Sequence, residues 1–101
     1  MHRIYAMIGF AAKSGKCSYG AYSVEAAIKK RKARLILMDR GLSCQSKTKY
    51  INLCDKFNVQ VLEIDKPCSA AGKPDKLVMA VNDNNFAELI LNEFNRSGGK
   101  K

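Results

Sequence analysis

A chain of 101 residues, 47% hydrophobic and 27% charged, has apolar surface enough for one self-folding core and too little for two, so a single domain is expected. Its 18 Lys and Arg against 9 Asp and Glu leave a net charge of +9, a balance that points to a polyanionic partner. No apolar run approaches the roughly 20 residues of a membrane span, so the reading is a cytoplasmic protein without a membrane partner.

In chain order, helical and strand patterns alternate, as in a sheet covered by helices on both faces. Residues 3 to 13 carry Ile4, Met7, Ile8 and Ala11 at helical spacing, and Ser14-Gly15-Lys16 stops them. The same apolar stretch follows His2 and Arg3, is broken by Gly9 and ends at Lys13, which does not read as a signal peptide. A short edge strand is expected around Cys17. Gly20 then opens a second helix to about Arg31, with Ala21, Val24 and Ile28 facing inward and Tyr22, Ser23, Glu25, Ala26 and Lys29 facing out.

Arg34-Leu35-Ile36-Leu37-Met38 is a continuous apolar run of strand length, the mark of a central strand buried on both faces. Ser46 is expected to cap a third helix with a Tyr50, Leu53, Cys54 and Phe57 stripe, ending near Asn58. A strand over 59 to 64 follows, then a loop rich in Pro, Ser, Ala and Gly over 66 to 74, then a strand over 77 to 81. Asn82 or Asp83 caps a last helix presenting Phe86, Leu89, Ile90 and Phe94. Residues 97 to 101 make a flexible basic tail beyond the domain of residues 1 to 96. The whole is an α/β protein, a three-layer α/β/α sandwich around a mixed sheet of about four strands.

Chemistry of the catalytic kind finds little support. Cys17, Cys44, Cys54 and Cys68 form no C-x-x-C pair, and His2 is the only imidazole, so neither a metal site nor a cysteine nucleophile with a histidine base is expected. Ser14-Gly15-Lys16 falls short of a phosphate-binding P-loop, because Phe10 stands where the first glycine belongs and Cys17 where the metal-binding hydroxyl belongs. Asp83 suits a cap, and Glu25 and Asp39 suit surface ion pairs. The protein is expected to be neither an enzyme nor a cofactor carrier.

The cluster Lys29-Lys30-Arg31-Lys32 with Arg34 ends the second helix, where cations suit the negative end of the helix dipole, and Lys13 and Lys16 precede the same helix. Together with Gly20, Ile28 and Ala33-Arg34-Leu35, the Ser14-Gly15-Lys16 motif resembles the kink-turn-binding ribosomal-protein family, the L seven Ae and L thirty e superfamily. Asn52-Leu53-Cys54, Asn58-Val59, Ala70-Ala71-Gly72-Lys73-Pro74 and the run from Ala80 to Ala87 are similar to its short bacterial YlxQ-type branch. The resemblance spans about residues 3 to 92.

What the resemblance implies is a monomeric RNA-binding domain, without DNA specificity, that sets the start of its second helix against a sharply bent or bulged RNA helix, ribosomal RNA included. The family's strongest binders carry Gly-x-Asn-Glu-x-x-Lys there; here the frame is Gly20-Ala21-Tyr22-Ser23-Val24-Glu25-Ala26, with Tyr22 offered for stacking on a splayed base. The second contact region, Leu-Gly-x-Ala-x-Gly in the family, is Pro67-Cys68-Ser69-Ala70-Ala71-Gly72. The implied contacts on the helix side are Lys13, Lys16, Gly20, Ala21, Tyr22, Ser23, Ala26 and Lys29. Those from the loops are Arg40, Ala70, Ala71, Gly72 and Lys73. The replaced Asn, Glu and Lys motivate the alternative, a protein-interaction module on the same fold. Gly20→Asp is expected to weaken RNA binding with folding largely intact.

Overall fold

The computed structural model describes residues 2–96, so the expected tail lies outside the described residues. Nine elements follow in order: α1 (His2–Lys13), β1 (Cys17–Tyr19), α2 (Ala21–Lys29), β2 (Leu35–Asp39), α3 (Cys44–Phe57), β3 (Gln60–Ile64), α4 (Pro67–Ala70), β4 (Val78–Val81) and α5 (Asn84–Arg96). The strands form one mixed sheet in the order β1-β4-β2-β3. β4 runs antiparallel to both β1 and β2, whereas β2 and β3 are parallel, so β1, β2 and β3 all point the same way.

Strand periodicity sorts the core into two layers. Leu35 and Leu37, with Met79, Val81, Leu62 and Ile64, pack against Ile4 and Ile8 of α1, Cys68 of α4 and Ala87, Ile90 and Phe94 of α5. Ile36 and Met38, with Val78 and Ala80, pack against Val24, Ala27 and Ile28 of α2 and Tyr50 and Cys54 of α3. Both faces of β2 and β4 are therefore dry, which is why their sequences are unbroken apolar runs. The three-layer sandwich matches the architecture expected from the sequence.

Several local expectations change. Ser43, in an extended conformation, caps α3 by accepting from the Ser46 amide at 3.2 Å; Ser46 is inside the helix. Ala21 is exposed and Ala27 holds the inward position, because α2 meets the sheet only from its second turn onward. α2 stops at Lys29, since Arg31 turns left-handed at φ 61°. Residues 66 to 74 are not all loop: Pro67 starts the short α4 at a position where its missing N–H costs nothing. Leu77 lies before β4 and is exposed, as is Leu89 on the outer side of α5.

Asp83 does cap α5, accepting from the Phe86 amide at 3.0 Å, but Asn82 instead spans to β1, its Nδ2 donating to Ser18 Oγ at 3.0 Å. Glu25 forms the expected ion pair, with Lys49 at 2.8 Å. Asp39 does not: it is buried and accepts from the Gly41 amide at 2.8 Å, closing the turn after β2.

All four cysteines are free thiols. Burial pushes the Cys54 thiol up from 9.0 to about 11, and burial followed by the nearby Asp39 carboxylate pushes Cys68 up to about 12. Above pH 9 the unfolded chain releases these protons while the folded chain keeps them, so stability falls as pH rises from 9 toward 11. Urea unfolding at pH 8 and pH 10 checks this: a lower midpoint at pH 10 in the native chain, reduced in Cys54→Ala, is expected. Equal sensitivity in both chains would remove the thiol as the cause.

Candidate nucleic-acid interface

Strand direction gives the molecule two poles. At one lie the C-terminal ends of β1, β2 and β3, the beginning of β4 and the N-termini of α2 and α3. Ligand sites in open α/β sheets favour this edge, where helix N-termini point partly positive donors outward. At the other lie the starts of β1, β2 and β3, Asn82 and the C-termini of α2 and α3.

The first pole is built on Gly20. Its amide donates to the Val78 carbonyl at 3.0 Å, which ties the start of α2 to β4. Its φ of 86° and ψ of 163° belong to a region that only glycine enters without strain. That geometry corrects the expectation for Gly20→Asp, since any side chain there strains the backbone. Gly20 provides no side-chain cap, so the amides of Ala21, Tyr22 and Ser23, which precede the first intrahelical bond, face outward as donors. Tyr22 projects beside them, 88% exposed, and Ala26, one turn on, is partly buried.

The second expected contact region comes to the same place. Lys73 lies over the Tyr19 ring, its Nζ 5.6 Å from the centroid, so the loop after α4 rests against the end of β1. Tyr19 is itself held neutral, its phenol pushed up to about 12 by burial and by Cys17. A groove of about 450 Å³ opens there, lined by Gly9, Ala12, Lys13, Tyr19 and residues 70–73. Lys13, Ala70, Ala71, Gly72 and Lys73 are thus brought together on one concave surface.

Arg40 stands at the same pole, its amide donating to the Ile64 carbonyl at 3.0 Å and its carbonyl accepting from Lys47 Nζ at 2.9 Å. Sequence reasoning missed Lys76. Its Nζ lies 3.6 Å from where a side chain on Gly20 would begin. No local signal marks it; only the antiparallel pairing of β1 with β4 brings residue 76 beside residue 20.

Two of the expected contacts are elsewhere. Lys16 precedes β1 at the opposite pole, where its carbonyl accepts from the Asn82 amide at 2.7 Å. Lys29 ends α2 at that pole too. Lys16 and Gly20 flank the three residues of β1, four extended steps or about 13 Å apart, which exceeds the ~8 Å screening length of physiological salt. The two sets of charges act separately. Among the described residues no group of His, Cys, Asp or Glu is arranged to hold a metal ion, and no helix is long and apolar enough to cross a membrane.

No protein-family model and no curated protein sequence matches the chain. Solved structures do. A protein with unknown function from Bacillus halodurans superposes with a TM-score of 0.84 at 20% identity, over 88% of this chain and 93% of that one. A 15.5kD RNA binding protein of Giardia lamblia superposes with a TM-score of 0.71 at 12% identity, over 91% of this chain and 84% of that one. At these identities the likeness is one of fold: the chain shares the α/β/α architecture of both proteins.

Proposed function

We propose that this protein binds structured RNA, using the Gly20 pole to meet a kinked or bulged helix. The observation that carries the reading is the convergence of the uncapped start of α2 with Lys73, Lys76 and Arg40 on one edge of the sheet. Amide donors and cations there suit phosphate and base-edge acceptors, and Tyr22 suits a base displaced from its stack. The RNA-binding protein of the same fold from Giardia lamblia supports the choice of ligand. On this reading the chain is a monomeric, non-enzymatic member of the kink-turn-binding superfamily, of the YlxQ type. It works in the cytoplasm on ribosomal or similarly folded RNA and needs no cofactor.

Fluorescence anisotropy with a kink-turn hairpin and an unbent duplex of equal length, each at two salt concentrations, tests the reading. Preference for the bent RNA that persists at the higher salt is expected. Equal, purely salt-driven affinity would reject shape recognition, and absence of binding would reject RNA as the ligand. Tyr22→Ala is expected to weaken the hairpin complex by about 1–3 kcal/mol, the usual worth of a base–aromatic stack. Its melting temperature should not move, because the ring is 88% exposed. Unchanged affinity in that variant would take Tyr22 out of the interface.

A further inference from the structure

The basic residues that the fold carries away from Gly20 are not scattered. Lys29, Lys30, Arg31, Lys32 and Arg34 are all exposed around the end of α2 and the start of β2. Strand pairing adds Lys16 from another element: the Arg34 amide donates to the Val81 carbonyl, and the next residue, Asn82, donates to the Lys16 carbonyl. α3 adds Lys56 at its last turn. Three segments distant in sequence thus deliver cations to one pole.

The neutralising groups are few. Among the described residues the ion pairs are Lys47–Glu63, Lys49–Glu25 and Arg96–Glu93, and none involves a cation of this pole. The nearby acids are Asp55 on α3 and Asp83, whose carboxylate is engaged as the cap of α5. Between α2 and α3 the surface continues as a groove of about 390 Å³ lined by Lys29, Lys49, Lys56, Asn52, Leu53 and Glu25, the one acid there being held by Lys49.

The helix dipole accounts for Lys29 and Lys30 at the end of α2. It does not account for Arg34 and Lys16, which stand just before β2 and β1. Nor does it account for Arg31, held in the left-handed region at φ 61° where glycine is the ordinary occupant. An arginine kept there costs backbone strain and returns a guanidinium fixed 5.3 Å over the centre of the Phe57 ring. Lys56 also stands over that ring, at 5.9 Å. Cations cover the Phe57 ring beside them, so the surface between the ends of α2 and α3 offers charge and donors, which suit a phosphate backbone.

We infer that this pole is a second RNA-binding surface that takes the phosphate backbone of a plain helix, so that one chain ties together two RNA segments. The bridging rests on the reading of the Gly20 pole as an RNA surface, whereas the second surface itself does not, and each pole is assayed with its own RNA. The probe is an energy-transfer assay with a donor-labelled kink-turn hairpin and an acceptor-labelled plain RNA hairpin. Wild-type protein is expected to bring the two labels together in a ternary complex. The triple variant Lys30→Gln, Lys32→Gln, Arg34→Gln should bind the kink-turn hairpin within twofold of wild type, lose the ternary signal, and bind the plain hairpin at least tenfold more weakly. Its plain-hairpin salt dependence should also be shallower by two to three counterions. Loss of kink-turn binding in the triple variant, with its melting temperature unchanged, would mean one continuous surface and overturn the inference. So would a wild-type chain that binds either RNA but never both, or one that prefers anionic phosphatidylserine vesicles to the plain hairpin. Failure of kink-turn preference with the plain-hairpin results intact would count against the Gly20 pole alone.

Discussion

Gly20→Ala and Gly20→Asp should both melt well below the wild type, and only the aspartate variant should lose substantial further RNA affinity. The common part comes from the backbone. With φ at 86° and ψ at 163°, a residue carrying a Cβ sits in a region that costs about 1–3 kcal/mol to occupy. In a domain of this size each kcal/mol lowers the melting temperature by roughly 4–8 °C. Crowding adds nothing, because the nearest atom to the new Cβ would be Lys76 Cδ at an ordinary 3.5 Å. The extra part comes from charge: an aspartate there reaches the Lys76 ammonium, whose Nζ is 3.6 Å from the Cβ position, and faces the approaching phosphates. A further tenfold loss, about 1.4 kcal/mol, is expected over the alanine variant. Thermal melts by circular dichroism and hairpin titrations check the two parts independently. Equal affinities for the alanine and aspartate variants would show that phosphate does not approach residue 20. A wild-type melting temperature in either variant would show that the backbone relaxes without cost.

Leu37→Ala should be the most destabilising of these changes, at about 2–5 kcal/mol. Leu37 is fully buried in the middle of β2, its side chain in the layer that also contains Ile8, Met79 and Ile90. β2 is bonded on both edges, parallel to β3 and antiparallel to β4, so the backbone cannot collapse into the vacated volume. Against a total stability of about 5–15 kcal/mol, such a loss leaves a substantial unfolded population at physiological temperature. Leu89→Ala is the control: the same deletion at a side chain 48% exposed should shift stability by no more than about 0.5 kcal/mol. Urea titration of both variants measures the contrast, and similar midpoints would refute the placement of Leu37 at the centre of the core.

The sequence alone determined the order of every element but the short α4, the sandwich and much of the core, because side-chain periodicity reports which faces meet water. The apolar run over 35 to 38 marks a strand covered on both sides, and Val24 and Ile28 mark the inner stripe of α2. It also marked Gly20, since a glycine opening a helix amid lysines has a local cause. Caps and ends were less legible: Ser43 and Ser46 offer the same hydroxyl, and backbone conformation chooses between them.

Only the tertiary structure decided how the charges are shared. Reading along the chain, Lys16 is four positions from Gly20 and Lys76 is fifty-six, so Lys16 looked like the neighbour. An extended strand carries its two ends to opposite edges of the sheet, and antiparallel pairing returns a distant residue to either one. Lys16 was therefore delivered to the pole of Arg34, and Lys76 took the place beside Gly20. Local pattern reports burial, which depends on a residue's own face; proximity between charges depends on strand direction and order, which no local pattern contains.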